Sequence, residues 1–494
     1  MASLEEIRAE RLKKLELLKQ AGKNPYPILS NPDFNIAEVI RDFAELTESG
    51  KELSLAGRVM AIRTQGAITF FNFNDGTGLF QGLLKSGEID APTFDLFKDT
   101  VDLGDFILVR GTLFVTKRNE PTIQVKDWTM LAKSLRPLPD KWHGLQDVEE
   151  RFRRRYLDSL MSGEVKKRFI LRSQIITAIR KYLDDAGYLE VETPILQPLA
   201  GGANAEPFKT HHNALNIDLY LRIAPELYLK KMLVGGFPKV YELARNFRNE
   251  GIDATHNPEF TMLEFYESFS TAKKQMVFVE ELVRTVVKNV IGREEIEFDG
   301  VVIDFAEKFK TISYTELLAR YAFINDLTKI TRAEAVLKAN QFGVEVDPAD
   351  VVEKIIDNIY KKICRPKIIQ PTFIVDYPVA FSPFAKRKED NPELIDRFQL
   401  LVGGYELVNA FSELNDPLDQ RERYLEQDRK KKAGDAEVSS SDEDYLECME
   451  YGMPPAGGVG LGVDRLTIVL TNTKNIKEVI FFPTMRPKDK EDKG

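Results

Sequence analysis

Two cysteines, Cys364 and Cys448, are the only thiols in 494 residues, and they lie far apart. A disulfide framework or a thiolate zinc site needs more than that. Long apolar runs are missing too, and no stretch approaches the ~18 uninterrupted apolar residues of a membrane span. The opening MASLEEIRAERLKKLELLKQ mixes acids and bases and does not read as a signal peptide. These absences point to the cytosol. An excess of positive charge is also lacking, since the net charge is -9. The chain therefore has no overall basic footprint for nucleic acid, although a local basic face is compatible with an acidic total. Arg151–Arg155 and Lys166–Arg168 are such local runs, and a solvated helix face accounts for each equally well. Hydrophobic residues at 43% and charged residues at 30% are ordinary globular composition, enough for two or three domains.

Residues 4–20 read as a helix, with Leu4, Ile7, Arg11, Leu15 and Leu18 near helical spacing. Three prolines in Asn24–Pro32 break it. From Leu53 the pattern becomes short β-rich runs: LSLAGRVMAIR, AITFFNFND, GLFQGLLK, FILVRGTLFVTK and TIQVKDWTML. Five strands in about 80 residues suggest a small barrel, with an OB-fold the leading candidate. Such barrels bind single strands by stacking and edge contacts. The expected domains are a lead-in over 1–52, the barrel over 53–133, a proline-containing linker over 134–147 and a larger domain over 148–494. In the last, Gly163–Ala186 is expected to be a long amphipathic helix with Phe169, Ile170, Ile175, Ile176, Ile179 and Leu183 apolar, stopped by Gly187. Ser313–Arg365 looks like a charged helical insertion without catalytic motifs. Ala433–Asp442 and the final PKDKEDKG are polar and read as mobile. No internal repeats are apparent.

Three segments carry chemical promise. Arg245–Phe260, RNFRNEGIDATHNPEF, sits between the strand-like VYELAR and FTMLEFYE and reads as a β-hairpin with cationic arms. Guanidinium groups suit phosphate because they offer two parallel donors. From spacing alone, a salt-bridged surface hairpin is as good a reading. Gly457–Arg465, GGVGLGVDR, allows close backbone approach before a helix, but lacks the Gly-Lys-Ser/Thr of a Walker loop. Gly187–Leu196, GYLEVETPIL, fits a buried edge or a subunit interface.

In this order the three segments resemble motifs 2, 3 and 1, respectively, of the class II aminoacyl-tRNA synthetases. The resemblance narrows over PLAGGANAEPFKTHHNALNIDLYLRIAPELYLKKMLVGGFPKVYELARNFRNEG, over NAFSELNDP, over the linker LRPLPDKWHGLQD and over IKEVIFFPTMRP. These are similar to the bacterial-type lysyl-tRNA synthetases, within the aspartyl, asparaginyl and lysyl subgroup. The implied fold class is a two-domain chain. An all-β N-terminal OB-fold barrel precedes an α+β catalytic domain of mainly antiparallel sheet flanked by helices. The implied reaction joins L-lysine to tRNA(Lys) through a lysyl-adenylate made from ATP.

The resemblance also implies roles. Arg248 would hold the lysine carboxylate and the α-phosphate, Glu250 would read the adenine amino group, His256 would touch the terminal phosphates, Phe260 would stack on adenine and Arg465 would bind the γ-phosphate. Around lysine, Glu226 and the backbone near Gly202 match contacts to the α-ammonium. Glu264, Tyr266 and Glu413 match the side-chain pocket, with Tyr266 and Glu413 at the ε-ammonium. Asn409 matches a carboxylate contact and Phe411 a pocket wall. Each carboxylate taken alone would more commonly be a surface charge. Magnesium is the implied cofactor, usually held by two carboxylates seven residues apart. Here Glu406 stands at the second position but Gln399, a neutral and weaker oxygen ligand, at the first. Gln399 also keeps open a second reading, a catalytically impaired tRNA-binding or regulatory relative. On the barrel, Phe70 and Gln81 match positions that stack on and read the anticodon, Arg63 is a companion contact, and Asp127 replaces a more usual Glu. A homodimer is implied by the resemblance around Pro194.

Overall fold

The computed structural model describes residues 3–28, 30–139, 145–203, 205–327, 329–348, 350–432 and 441–487. Residues 140–144 of the expected linker, 433–440 of the polar stretch and 488–494 of the tail lie outside these. The chain divides into two compact units, residues 1–146 and 147–494.

In the first unit, alternating sequences form strands that hide every second side chain. β1 (Leu53–Gln65), β2 (Ile68–Asn74), β3 (Leu79–Lys85), β4 (Phe106–Val115) and β5 (Pro121–Ala132) close into a barrel in the order β1-β2-β3-β5-β4. Along β2, Thr69, Phe71 and Phe73 are buried while Phe70 and Asn72 stay partly exposed. The helix Ala91–Thr100 is capped by Asp90, whose carboxylate accepts from Thr93 N–H at 3.0 Å. Its Phe97 meets Phe71 at 5.4 Å and Trp128 edge-on at 5.2 Å, adding an aromatic plug to the barrel core. The N-terminal helix Leu4–Gln20 begins with a Ser3–Glu6 capping box. Its apolar stripe is shorter than expected, because Leu4 is exposed while Arg11, Leu15 and Leu18 are buried. Arg11 is tolerated there because its guanidinium donates to the carbonyls of Leu103, Ser134 and Arg136.

The second unit holds thirteen strands among its described residues. β6 (Leu189–Glu190), β7 (Leu196–Gln197), β8 (Lys209–His212), β9 (Ile217–Leu221), β10 (Lys239–Phe247), β11 (Glu259–Ser268), β12 (Glu295–Phe298) and β13 (Val301–Asp304) come first. β14 (Lys310–Ser313), β15 (Thr372–Pro378), β16 (Leu394–Val402), β17 (Tyr405–Ser412) and β18 (Ala456–Gly462) follow. Eight of them build one sheet in the order β14-β15-β16-β17-β18-β11-β10-β6, antiparallel throughout except for the parallel pairs at its two edges. One face carries Leu263, Phe265, Phe398, Leu400, Val408, Ala410, Val459 and Leu461. It is buried with side chains of the helices Gly163–Asp185, Ala272–Ile291 and Val463–Leu470. The period of two then sends the intervening side chains to the opposite face. Register aligns them in two rows across four strands: Arg397, Phe411, Gly458 and Tyr266 in one, Gln399, Asn409, Gly460 and Glu264 in the other.

Two expectations change. Ile170, taken as part of the apolar stripe of its helix, is 48% exposed. The segment 187–196 is not a buried edge within the chain, since Leu189, Ile195 and Leu196 are each more than 40% exposed. It is nevertheless fixed, because Thr193 Oγ1 donates to Glu242 at 2.7 Å and Glu242 pairs with buried Arg222 at 2.5 Å. The segment 313–367 contains the helices Tyr314–Leu317, Arg332–Gln341 and Val352–Ile359. The last continues through a π-helical turn, Tyr360–Cys364, into Arg365–Lys367.

Candidate active site

The open face of the sheet bears two adjoining hollows that share Arg248, Met262, Asn409 and Gly460. The first, of about 220 Å³, brings together Gly202, Glu226, Arg248, Glu264, Tyr266, Asn409, Phe411 and Glu413. These are all eight residues expected around the amino acid. The second, also about 220 Å³, brings together all six expected around the nucleotide: Arg248, Glu250, His256, Phe260, Glu406 and Arg465.

Acidity defines the first hollow. Glu226, Glu264 and Glu413 are all buried there, on the helix Glu226–Val234, on β11 and just past β17. Between two of them lies Lys230, which is completely buried and had not been anticipated. Its ammonium is 2.6 Å from Glu226 and 2.5 Å from Glu413, with the Phe384 ring 4.9 Å away. Lys230 follows Glu226 by four residues on the same helix face, which is the one trace of it in the sequence. Burial alone would favour neutral Lys230, but Glu226 and Glu413 hold its pKa well above the usual range. Burial pushes the Glu226 and Glu413 carboxyls up, against the pull of Lys230. Burial, reinforced by Glu226, pushes Glu264 up to about 8, and the Tyr266 hydroxyl donates to it at 3.1 Å. Glu413 meets Lys230 through Oε2 as an ion pair at 2.5 Å, and its other oxygen, Oε1, is buried without a hydrogen-bond partner.

The glycine strand is the floor of this hollow. A Cβ on Gly458 would lie 2.0 Å from Glu413 Oε1 and 2.4 Å from the Tyr266 ring, and one on Gly460 would lie 2.3 Å from Met262. The run GGVGLG thus leaves room for the acids and the ring to lie flat on β18. Asn409 is oriented by Arg397, whose Nε donates to its Oδ1 at 2.8 Å while Nη1 donates to Phe381 O. The amide NH₂ of Asn409 is therefore its remaining donor group. Arg397 was not foreseen, because its link to Asn409 exists only through the β16–β17 register.

The second hollow mixes charges, with Arg248, Arg465 and His256 set among Glu250, Glu406 and Asp464. β10 and β11 form a nine-pair hairpin, and the loop between them carries Arg248, Glu250 and His256. Arg248 lies 5.0 Å from the Phe260 ring, and its Nε is buried without a partner. An orphaned guanidinium N–H where the hollows meet is suited to an anion. Asp253 orders the loop. It accepts from Thr255 N–H, His256 N–H and the His256 ring, and these hold its carboxyl at about 2 despite partial burial. The opposite nitrogen of His256, Nε2, is 3.5 Å from Arg465 Nη2. Buried Asp464 accepts from Arg172 at 2.6 Å and from Thr261 N–H at 2.8 Å, tying the helix start to β11. Arg245, by contrast, is exposed, paired with Glu259 at 3.2 Å, and does not line either hollow.

The donor set fits magnesium only in part. Glu406 presents a carboxylate to the second hollow, with Arg365 at 3.4 Å. Gln399 lines neither hollow, and its Oε1 accepts from Tyr377 at 2.7 Å and Tyr360 at 3.1 Å. As a metal ligand it is therefore corrected, because its oxygen is already occupied by two hydroxyl donors. The insertion reaches this neighbourhood, since it supplies Tyr360 to Gln399 and Arg365 to Glu406.

On the barrel, register gathers Arg63, Phe70 and Gln81 on one outer area: Arg63 faces Phe70 across β1–β2, and Asn72, two residues on, faces Gln81. Thr122 donates to Gln81 Oε1 at 3.0 Å. Asp127 is not gathered with them. It pairs with Arg110 on β4, five residues along β5 from Thr122, roughly 16 Å at the usual rise. One of its oxygens accepts from Trp128 N–H.

Comparison with known proteins agrees with this geometry. Residues 147–486 match the family described as tRNA synthetases class II (D, K and N), and residues 53–131 match the OB-fold nucleic acid binding domain. A lysine–tRNA ligase of Pelotomaculum thermopropionicum is 47% identical over 98% of this chain and 96% of its own length. Another, from Moorella thermoacetica, is 47% identical over 98% of both. A third, from a Roseiflexus species, is 46% identical over 98% of this chain and all of its own.

The glycine floor gives a stability test. Gly458→Ala forces Glu413 and Tyr266 off β18 and is expected to destabilise the second unit by about 1–3 kcal/mol, the usual range for overpacking. Thermal unfolding measures this, and an unchanged melting profile would show that both side chains swing away at no cost.

Proposed function

The chain belongs to the class II tRNA synthetases of the aspartate, lysine and asparagine group, and from that premise we propose that it activates L-lysine with ATP and transfers it to the 3′ end of tRNA(Lys). One observation carries the choice of amino acid: three buried carboxylates with one internal ammonium in a single hollow. With all three ionised, these acids and Lys230 alone balance at -2, and Arg248 and Arg397 in the same hollow face the end proposed for the substrate carboxylate, so two ammonium groups suit the acidic end. Lysine supplies two, on its α-carbon and at its side-chain end. An amino acid without the second cation leaves a buried carboxylate unpaired, a cost of roughly 3–5 kcal/mol.

In this reading Glu226 and the Gly202 backbone take the α-ammonium, while Glu413, Glu264 and Tyr266 take the ε-ammonium beside Phe411. Arg248 and the Asn409 amide hold the carboxylate at the junction of the hollows. Adenine stacks on Phe260 with Glu250 at its amino group, and His256 and Arg465 meet the terminal phosphates. A carboxylate oxygen bonds to the α-phosphorus as the bond to the bridging oxygen of the β-phosphate breaks, releasing pyrophosphate. Positioned cations lower the barrier because they meet charge that grows in the transition state. The ribose hydroxyl at the tRNA end then attacks the activated carbonyl, and AMP leaves. Glu406 is the residue that would hold magnesium, which would supply charge neutralisation at the phosphates.

Arg63, Phe70 and Gln81 are proposed to read the anticodon, with Asp127 outside that group. A homodimer through the 187–196 region is supported by the exposed Leu189, Ile195 and Leu196, which a second copy would cover. Cytoplasmic location follows from tRNA and ATP as substrates. No helix among the described residues is long and apolar enough to cross a membrane.

Lysine-dependent ATP–pyrophosphate exchange tests the reaction. Lysine is expected to support it, and aspartate and asparagine are not. Exchange with either of those instead would refute the lysine assignment. Glu413→Gln is expected to lower kcat/KM for lysine by about a hundredfold to several thousandfold, the equivalent of the unpaired-charge cost, with KM for ATP nearly unchanged. Equal effects on both substrates would remove Glu413 from the lysine pocket. Glu264 adds a pH test. At about 8 it is largely protonated at neutral pH, and a neighbouring ammonium favours its ionised form. Lysine binding should therefore release a proton near pH 7, and its affinity should rise between pH 6 and 8. Calorimetry in buffers of different ionisation enthalpy measures that release, and none at pH 7 would place Glu264 away from the ligand.

A further inference from the structure

Glu406 and Arg465 face two spaces. With Thr255 they line the nucleotide hollow and also a neighbouring cavity of about 420 Å³, whose other charged walls are Lys361, Arg365, Lys474 and Asp299. Two of its cations are satisfied at the surface: Lys361 pairs with Asp357 at 2.7 Å and Lys474 with Asp299 at 2.5 Å. Arg365 differs. Its side chain is only 19% exposed, its Nη1 is 3.4 Å from Glu406 Oε2, and its Nε is buried without a partner. Arg465 donates to the main-chain carbonyl of Glu406 at 3.0 Å. Arg365 thus meets the Glu406 carboxylate and Arg465 its main chain, so two guanidinium groups share the neighbourhood of one carboxylate, leaving a charge of +1 in a partly buried place. A desolvated guanidinium with an unpaired donor is costly until an anion completes its hydrogen bonds.

Gln399 explains why a cation is needed there. Its amide oxygen is closed off by Tyr360 and Tyr377, and it adds no charge to hold a metal. Tyr360 and Arg365 belong to one continuous helical turn, five residues apart. The same turn therefore covers the amide and presents a guanidinium to Glu406.

We propose that Arg365 is a phosphate-binding residue which, with Arg465, receives the terminal phosphates of ATP and the pyrophosphate product, in place of a metal ion held by a second carboxylate. The proposal rests on the nucleotide side of the proposed function. Arginine serves because its charge is permanent and its fork grips two phosphate oxygens at once.

Isothermal titration of the full-length protein with inorganic tripolyphosphate, in EDTA and then in magnesium, tests it. In EDTA the wild type is expected to bind tripolyphosphate. Arg365→Met should weaken that binding tenfold or more, as expected for loss of charge-assisted hydrogen bonds. Arg365→Lys, which keeps the charge and loses the fork, should fall between. AMP, which lacks the terminal phosphates, should bind all three proteins alike. Unchanged tripolyphosphate affinity in Arg365→Met overturns the proposal, and so does an equal loss for AMP. Failure of the wild type to bind tripolyphosphate in EDTA also overturns it, and that result requires no variant to fold. Lysine-dependent exchange by the wild type, run alongside, separates the two claims. Its absence removes the reaction itself, whereas its presence with unaltered tripolyphosphate binding removes Arg365 alone.

Discussion

A single buried ammonium, that of Lys230, organises the amino-acid side of this protein. Removing such a charge from water costs several kcal/mol, and the cost is offset only by close, opposite charge. Glu226 and Glu413 provide it from two different elements, the helix Glu226–Val234 and the segment after β17. The ion pairs therefore tie helix to sheet and fix where both carboxylates stand. They also prevent three acids in one hollow from repelling each other apart. Hydrophobic replacements of equal volume would pack there at less cost, but they would leave no negative charge to recognise a cation.

The sheet divides labour by strand parity. Odd-numbered positions of β11 and β18, such as Leu263, Phe265 and Val459, build the core, and even-numbered Val408 and Ala410 join them from β17. Their immediate neighbours Glu264, Tyr266, Gly458, Gly460, Asn409 and Phe411 form the open face. Binding residues thus project from rigid strands whose other side is packed, which limits their movement. The nucleotide side is built differently, from the loop between β10 and β11. It gains order from local hydrogen bonds to Asp253 and from the contact of His256 with Arg465.

Much of this was legible in the sequence, for identifiable reasons. Strand alternation around Phe71 and Phe73 is local, and so it announced the barrel. The long segments around Arg248 and Glu413 are specific enough to identify a family, and all the residues they implied around the two hollows face those hollows. What stayed hidden depends on partners rather than on periods. Arg397 reaches Asn409 only through cross-strand register. Gln399 looked like a weak metal ligand because the sequence does not disclose that Tyr360 and Tyr377 occupy its oxygen. That Asp127 stands farther along β5 than the residue facing Gln81 follows from register, which the sequence does not print. The segment around Ile195 and Leu196 reads as a buried edge or a subunit interface, and composition alone does not choose between them; within one chain both residues lie on the surface.

The bare floor of the first hollow has a consequence for how its specificity can change. Gly458 and Gly460 contribute only main chain, and their hydrogen-bonded neighbours on both sides fix that main chain in place. Ordinary substitution can raise such a floor but can never lower it. Redesign toward bulkier amino acids must therefore proceed through the walls, at Met262, Phe384 and Phe411, which leaves the depth of the pocket an inherited dimension and its width the one open to variation.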